Sequence, residues 1–241
     1  MRLLLIRHGD PDYEHDCLTE KGVKEAELLA DRLVGERLTA IYVSPLGRAR
    51  RTAQATLSRL GREGKTCDWL REFSGTVKLP PTGEPHIFWD FLPSFLEEHP
   101  ALLSFDRWRK EPFVAASDVP EKYAEVCRGL DEVLAAHGYV RQGDHYTAVR
   151  PNCDTIALFC HFGVTCIMLS HLFCVAPVSL SQHFAAAPSS VTTVYTEERR
   201  EGIAQFRCTS FGDTSHLCLA HEPPSFSARF CETFKSEERH D

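Results

Sequence analysis

The sequence lacks any apolar run long enough to cross a membrane. A spanning helix needs about 20 mainly apolar residues, whereas the apolar run that opens this chain occupies only residues 3–6. That run is also shorter than the apolar core of a secretory signal peptide. We therefore expect a cytoplasmic protein without a membrane partner.

The sequence also has no excess of positive charge. Lysine and arginine together number 27, against 34 aspartate and glutamate residues, for a formal net charge of -7. A protein that binds the phosphate backbone of DNA or RNA needs a basic surface. This balance argues against nucleic acid as a general partner, although a few local basic residues can still hold a small anion.

The ten cysteines lack the C-x-x-C spacing that is typical of zinc sites and redox motifs. Cys160, Cys166 and Cys174 lie within apolar stretches, as small buried thiols do in a reducing compartment. Cys160 and His161 are adjacent in sequence, which hinders the binding of one metal ion by both side chains. We expect neither a disulfide framework nor a metal or other cofactor.

What is present is typical of a soluble globular protein of 241 residues, 43% of them hydrophobic and 25% charged. The chain is long enough to bury a full core, and its sequence shows no internal repeat. We predict a single domain over residues 1–241 with an inserted cap at about 73–119. The insertion is irregular and rich in aromatic residues, so it could form a lid or pocket wall, or a satellite core.

Short apolar strands alternate with amphipathic helices along the rest of the chain. Residues 3–6 and 155–160 are typical of strands that are buried on both faces, as in the interior of a parallel sheet. This alternation predicts an α/β protein, a three-layer α/β/α sandwich with a mostly parallel central sheet. Strands near residues 191–195 and 203–211, joined by a charged turn at 197–202, predict an antiparallel edge.

Local signals predict several element boundaries. Thr19 is placed to cap the first helix, and Ser44-Pro45 is typical of the N-cap and first residue of the second. Residues 66–70 are a short candidate for the third strand. The polar tail from His221 onward is expected to be loosely held.

Polar residues stand where each predicted strand ends. Arg7 and His8 follow the first strand, Arg48 lies in the first turn of the helix after the second, Glu72 follows the third, and His161 follows the late buried strand. The carboxyl ends of parallel strands lie on one edge of the sheet, where open α/β proteins bind ligands. We therefore expect the five residues to share one crevice, a candidate anion site that contains a nucleophile.

Four motifs in this order resemble the histidine phosphatase superfamily: RHG after the first strand, SPLGRARRTA at the second helix, LREFSG, and a late strand that ends in HFG. The LTEKG stretch resembles the family too, and the likeness covers roughly residues 1–75 and 150–218. Phe162 follows the late histidine, where the acid phosphatase branch would carry an aspartate. The chain is therefore most similar to the branch that contains cofactor-dependent phosphoglycerate mutase and small-molecule phosphatases.

The resemblance implies a metal-independent phosphatase that hydrolyses small phosphomonoesters through phosphohistidine and releases inorganic phosphate. By position, His8 would be the nucleophile and Glu72 the general acid, while Arg7, Arg48 and His161 would hold the phosphoryl oxygens. The chemistry agrees with these roles, because neighbouring guanidinium groups disfavour a charged His8 and offer planar paired donors to phosphate. A protonated Glu72 could supply the proton that the leaving oxygen needs.

One position departs from the family pattern. Many relatives carry an asparagine six residues after the nucleophile as a further phosphate ligand, and Glu14 stands there in this chain. A carboxylate that pointed inward would repel phosphate, so either the loop takes another course or another group substitutes. Two further functions stay open: a phosphomutase of the phosphoglycerate mutase type, and a non-catalytic phosphate-binding protein.

Overall fold

The computed structural model describes residues 1–227 and 232–236 of the chain. The strands are β1 (Arg2–Arg7), β2 (Pro11–Asp12), β3 (Cys17–Leu18), β4 (Ala40–Val43), β5 (Lys65–Thr66), β6 (Thr76–Leu79), β7 (Glu84–Ile87), β8 (Tyr139–Gln142), β9 (His145–Ala148), β10 (Thr155–Cys160), β11 (Val191–Arg200) and β12 (Ile203–Asp213). The α-helices are α1 (Glu20–Leu33), α2 (Gly47–Leu60), α3 (Pro93–Glu98), α4 (Pro112–Ala115), α5 (Val119–Ala136), α6 (Phe162–Phe173), α7 (Pro177–His183) and α8 (Ser215–Leu219). Short 3₁₀-helices cover Asp68–Leu70, Pro100–Leu103 and Trp108–Lys110. Within the described residues, no helix is both long and apolar enough to span a bilayer.

An eight-stranded sheet forms the middle layer, in the order β5-β4-β10-β1-β11-β12-β9-β8. Strands β5, β4, β10 and β1 pair in parallel, and the remaining pairings are antiparallel. Arg7 at the end of β1 lies opposite Cys160 at the end of β10. The predicted α/β class is confirmed, with the parallel strands in one half of the sheet and the antiparallel strands in the other.

The side chains of β1 alternate between two hydrophobic clusters. Leu3 and Leu5 belong to a cluster that includes residues of α5 and α6, whereas Leu4 and Ile6 pack in a second cluster that includes Leu29 of α1. Successive side chains of a strand point to opposite faces of the sheet. Helices therefore cover both faces of the sheet, which gives the three predicted layers.

Most of the large aromatic side chains of the insertion belong to the core. Phe88, Phe91 and Trp108 are at most 2% exposed and lie in the same cluster as the buried residues of β10. Trp89 differs, since its ring centroid lies 6.4 Å from that of Phe162, the residue after the late histidine. The insertion thus builds the core with most of its rings and reaches the carboxyl edge of the sheet with one.

The third strand is shorter than predicted. Strand β5 ends at Thr66, and the chain then closes a 3₁₀ turn in which Leu70 N donates to Cys67 O at 3.1 Å. This turn buries the Leu70 side chain completely, which an extended continuation of β5 would not do. The charged turn is also shorter than predicted, because β11 and β12 continue to Arg200 and Ile203.

The start of the second helix corrects another prediction. Helix α2 begins at Gly47 with Leu46 as its N-cap, two residues later than Ser44-Pro45 predicts. Ser44 is completely buried, and its hydroxyl accepts a hydrogen bond from Leu46 N at 3.3 Å. The Ser44 side chain therefore stays at the end of β4, within hydrogen-bond distance of His161, the residue after β10.

Candidate active site

The carboxyl edge of the parallel strands gathers the residues that the motifs single out. The backbone N of His8 donates to the carbonyl of the last residue of β10 at 3.1 Å, and the rings of His8 and His161 lie 5.1 Å apart between centroids. Burial lowers the pKa of both histidines most, and the charges of Arg7 and Arg48 lower it further. The charge of Arg7 also acts on Glu72. All five predicted residues therefore lie close together at this edge of the sheet.

His8 is held as a neutral imidazole. Its ring is buried, and Nδ1 lies 2.7 Å from the carbonyl oxygen of Gly9. Because a carbonyl can only accept a hydrogen bond, this contact assigns the ring proton to Nδ1 and leaves a lone pair on Nε2. Burial first, and then the charges of Arg7 and Arg48, lower the pKa of His8 to about 3. At neutral pH the Nε2 atom can attack an electrophile such as phosphorus.

The glycine of the RHG motif is required by backbone contact. A Cβ on Gly9 would lie 2.6 Å from the carbonyl oxygen of Gly22, and a Cβ on Gly22 would lie 2.1 Å from the carbonyl oxygen of Asp10. Thr19 caps α1 as predicted, since its hydroxyl accepts from Gly22 N at 3.0 Å. The loop after β1 and the start of α1 therefore pack backbone against backbone and fix the position of His8.

His161 is also a neutral imidazole, and its Nδ1 has no hydrogen-bond partner among the described residues. The ring is completely buried, and Nε2 lies 2.8 Å from Ser44 Oγ. Burial, and then the neighbouring ring of His8 and the arginine charges, lower the pKa of His161. If the Ser44 hydroxyl donates to Nε2, the proton of the neutral ring resides on Nδ1. Sequence reasoning missed Ser44 as a site residue because its position before Pro45 also matches a helix cap.

Three buried nitrogen atoms of this group of side chains have no hydrogen-bond partner within the described part of the chain. Among residues 1–227 and 232–236, no group accepts from Arg7 Nε, Arg48 Nε or His161 Nδ1. Leaving a buried donor unpaired costs about 1–3 kcal/mol, so such atoms commonly mark a place for a ligand or an ion. Two guanidinium groups and an imidazole N–H suit a tetrahedral oxyanion.

Glu72 is fixed at the start of α6. Its Oε1 accepts from the backbone N of Phe73 at 2.8 Å and from that of Val164 at 3.0 Å. A Cβ on Gly163 would lie 2.7 Å from the same oxygen, which accounts for the glycine of the HFG motif. Burial raises the pKa of Glu72 and outweighs the opposing amides and the charge of Arg7. A carboxyl group with a raised pKa keeps its proton to a higher pH than an ordinary glutamate, which suits a general acid.

The loop between β2 and β3 takes another course than the family pattern suggests. Glu14 is exposed. Asp16 instead reaches the site: its Oδ1 accepts from Arg48 Nη1 at 2.6 Å, and its Oδ2 accepts from Gly47 N at 2.6 Å. The motif comparison did not find Asp16, because this contact spans 32 residues and depends on the fold of the loop.

The expectation of a loosely held tail from His221 onward is wrong for residues 222–227, which dock beside the site. The parts of the tail at residues 228–231 and 237–241 lie outside the described residues. The docked segment begins shortly after α8 and contacts α1, where Lys24 forms an ion pair with Glu222.

The docked segment contacts Arg7, the last residue of β1, and Asp10 in the loop that follows it. The hydroxyls of Ser225 and Ser227 both donate to Asp10 Oδ1, the latter at 3.0 Å. The carbonyl oxygen of Ser227 accepts from Arg7 Nη1 at 3.1 Å, and that of Ala186 accepts from the same nitrogen. These carbonyls hold one end of the Arg7 guanidinium. No sequence periodicity reports contacts between residues more than 200 positions apart.

A buried carboxyl group lies behind this loop. Glu25 of α1 is 0% exposed, and its Oε2 accepts from Asp10 N at 2.7 Å. Within the part of the chain that the structure describes, Oε1 has no hydrogen-bond partner. Burial first, and also the charge of Asp10, raise the pKa of Glu25 from its ordinary 4.5 to about 7, against the opposing effects of the Asp10 amide and Lys21.

We expect Glu25→Gln to remove a pH-dependent part of the folding stability. A raised acid pKa makes a contribution that is fully present below about pH 4.5 and is lost as the pH rises to about 7. The free energy of unfolding of the wild type should therefore fall relative to the variant by about 3 kcal/mol between these pH values. Urea unfolding at several pH values measures the difference.

The matched control for this prediction is Glu20→Gln, which removes an exposed carboxylate from the same helix. Its difference from the wild type should stay constant over the same pH range. A pH-independent difference for Glu25→Gln would mean that the pKa of Glu25 is not raised in the folded protein.

The described part of the chain contains no group of three or more histidine, cysteine, aspartate or glutamate side chains arranged to hold a metal ion. Nine of the ten cysteines fall within it, and all nine are free thiols. The expectation of a metal-free enzyme stays a prediction that activity measurements can test.

Comparison with known proteins agrees with these observations. The family model of the histidine phosphatase superfamily (branch 1) matches residues 3–79. Phosphoserine phosphatase 1 of Hydrogenobacter thermophilus is 25% identical over 227 residues, which cover 87% of this chain and 93% of that protein. A mutant phosphoserine phosphatase of Entamoeba histolytica in complex with phosphoserine has a TM-score of 0.59 at 21% identity, covering 90% of this chain and 98% of that chain. The mycobacterial glucosyl-3-phosphoglycerate phosphatase in complex with VO3 has a TM-score of 0.56 at 17% identity, covering 87% and 98%.

The matched span and the fold lead to the same conclusion. Residues 3–79 contain the RHG, SPLGRARRTA and LREFSG motifs. The remaining motif, HFG, lies beyond that span, and the fold brings it beside RHG because β10 pairs with β1. Residues 3–79 therefore match branch 1 of the histidine phosphatase superfamily, and over most of its length the chain is similar to phosphatases.

Proposed function

We propose that the protein hydrolyses phosphomonoesters of small molecules through a phosphohistidine at His8, without a metal cofactor. One observation carries this proposal: a buried neutral imidazole with a free Nε2 stands beside the unpartnered donor atoms of Arg7, Arg48 and His161. These donors suit the three phosphoryl oxygens that remain when an ester bond breaks.

In the first step, His8 Nε2 attacks phosphorus and the bond from phosphorus to the ester oxygen breaks. Glu72 donates its proton to that oxygen, which leaves as an alcohol. The phosphoryl group is then bonded to Nε2. The proton remains on Nδ1, where it is hydrogen-bonded to the Gly9 carbonyl. The guanidinium groups of Arg7 and Arg48 balance the negative charge on the phosphoryl oxygens.

In the second step, a water molecule attacks the phosphohistidine. The Glu72 carboxylate takes a proton from this water, the bond from phosphorus to Nε2 breaks, and its electron pair returns to His8. Inorganic phosphate leaves and Glu72 is protonated again, so both residues return to their starting states. One carboxyl group therefore acts as acid in the first step and as base in the second.

The raised pKa of Glu72 supports the acid role in particular. Nitrophenolate-type leaving groups are stable as anions, whereas the alkoxides of sugars and amino acids need a proton as they depart. The relatives named above include phosphoserine phosphatases, which supports a substrate with an alcohol leaving group. The free thiols of the described cysteines support the cytoplasm as the compartment.

The experiment that tests this function measures phosphate release from a panel of small phosphomonoesters before and after treatment with a metal chelator. We expect release from at least one alkyl phosphate, at a rate that the chelator leaves unchanged. Loss of activity with the chelator, restored by a divalent metal, would contradict the metal-free mechanism.

Two other results would favour the alternatives. Transfer of labelled phosphoryl groups to a second substrate, with little free phosphate, would indicate a phosphomutase. Binding of inorganic phosphate without turnover of any ester would indicate a non-catalytic phosphate-binding protein.

A further inference from the structure

The loop between β2 and β3 places a carboxylate against one of the two arginines of the site. Asp16 Oδ1 forms an ion pair with Arg48 Nη1 at 2.6 Å, in which the arginine side chain is 11% exposed and the aspartate side chain 44%. Asp16 Oδ2 accepts from the backbone N of Gly47 at the first residue of α2. Both oxygens of the carboxylate are therefore used, one on the guanidinium and one on the helix that carries it.

The backbone conformation around this contact also fixes Asp16 close to the start of α2. Asp16 has a φ of 46°, in the left-handed region that non-glycine residues rarely adopt. A Cβ on Gly47 would lie 2.1 Å from the carbonyl oxygen of Asp16. Strained backbone of this kind persists only where the surroundings fix it, and it concentrates at functional sites.

A second side chain of the same loop holds Arg48. The ring of Tyr13 lies 5.4 Å from Arg48 Cζ and is 63% exposed, within the range of a cation–π contact. The guanidinium is thus bound by a carboxylate at Nη1 and faced by an aromatic ring. Its Nε is the buried atom that lacks a partner among the described residues.

We propose that Asp16 is a positioning residue that holds the Arg48 guanidinium so that Nε faces the bound phosphoryl group. This inference rests on the proposed function for the identity of the anion. Asp16 acts through Arg48 and does not touch the substrate, in contrast to the neutral asparagine ligand of the family pattern. Glu14, at the family position, is exposed and takes no part.

Two effects of removing Asp16 have opposite signs, which makes the proposal testable. Loss of the negative charge alone would strengthen anion binding, and because Asp16 is partly exposed this effect is weakened by solvent screening. Loss of the contact frees an arginine side chain, which must then be ordered again when the anion binds. We expect the second effect to dominate, so that anion binding weakens.

The experiment is a double-mutant cycle on the binding of inorganic phosphate, measured by calorimetry, and on the KM of an aryl phosphate. We expect Asp16→Ala to raise the Kd of phosphate and the KM about tenfold, equivalent to ~1.4 kcal/mol. In an Arg48→Ala background, Asp16→Ala should change neither value further, because residues that act as a unit are not additive. The control Glu14→Gln removes the exposed carboxylate of the same loop and should leave both values unchanged.

If the alanine variant does not fold, the milder variant Asp16→Asn can replace it in the double-mutant cycle. Its amide retains one acceptor oxygen in place of two, so its effect should be intermediate. A fall in Kd on removal of Asp16, or equal effects in both backgrounds, would overturn the proposal. A lower kcat with unchanged KM and Kd would also overturn the proposal. That result would indicate a destabilised protein, which has fewer active molecules but unchanged affinity.

The cycle also separates this inference from the proposed function. If the wild type turns over no phosphate ester, calorimetry still reports whether Asp16 and Arg48 act together on phosphate. If the wild type is active and the two residues contribute independently, the proposed function stands and the positioning role does not. If the wild type binds no phosphate, the anion site does not exist, and both the positioning role and the proposed function are overturned.

Discussion

Replacing His8 with alanine is expected to abolish turnover while the protein stays folded. The variant lacks the Nε2 atom that the proposed mechanism uses as nucleophile, and no phosphoryl group can be held in its place. Loss of a catalytic nucleophile typically costs about 10⁴-fold or more in kcat. Steady-state rates measure the loss, and acid quenching after reaction with labelled substrate should trap an acid-labile phosphoryl group on the wild type alone.

The backbone contacts of His8 explain why the fold should survive. Its N donates to the end of β10, and its carbonyl accepts from Ser189 N at 2.8 Å, and alanine keeps both bonds. Circular dichroism and thermal unfolding check this point. The control is His145→Ala, which removes an imidazole from β9 near the antiparallel edge of the sheet and should keep full activity.

A substantial residual rate in the His8→Ala variant would contradict the phosphohistidine mechanism. Direct attack by water would then have to replace it, with Glu72 as the base. Absence of the trapped phosphoryl group on an active wild type would have the same meaning, provided that its formation is not slower than its hydrolysis. Single-turnover kinetics with an aryl phosphate resolves the two steps.

The sheet and the edge that carries the site follow from local sequence signals. The apolar runs of β1 and β10 are buried on both faces, so composition alone marks them as inner strands. Once both are inner parallel strands, His8 and His161 at their ends must lie on one edge. The motif resemblance adds the roles of these residues, which the strand pattern does not contain.

The residues that support the site could not be predicted in the same way. Asp16 reaches Arg48 only because its loop adopts a left-handed turn, and an aspartate beside a histidine in a polar loop carries no signal for that turn. The docking of Ser225 and Ser227 on Asp10 joins opposite ends of the chain. Polar contacts of this kind have no period and no fixed spacing, so only the folded backbone reveals them.

Replacing Glu72 with glutamine should slow alkyl phosphates far more than aryl phosphates with good leaving groups. The amide oxygen can still accept from the Phe73 and Val164 amides, so the geometry of the start of α6 is kept while the acidic proton is lost. An alkoxide needs that proton, and a nitrophenolate does not. We expect a loss of about a hundredfold or more on alkyl esters, in the range of general acids, and a much smaller loss in the phosphorylation step on nitrophenyl phosphate.

The pH dependence of the phosphorylation rate gives a second test of Glu72 as the general acid. Because burial raises the pKa of Glu72, the group keeps its proton to a higher pH than an ordinary glutamate. The phosphorylation rate of an alkyl ester should fall on the alkaline side as Glu72 loses this proton. This fall in rate at alkaline pH should be missing in the Glu72→Gln variant, whose side chain does not titrate.

Glu84→Gln is the matched control, since Glu84 is an exposed glutamate of β7 in the insertion. It should leave both substrate classes unaffected. Equal losses for Glu72→Gln on alkyl and aryl substrates in the phosphorylation step would mean that Glu72 only shapes the pocket. The acid would then have to be sought in the insertion, with Glu84 and His86 nearest in sequence, and a selective loss on alkyl esters in the Glu84 variant would identify it. Glu84 lies exposed on β7, whereas burial raises the pKa of Glu72 at the start of α6, and this difference favours Glu72.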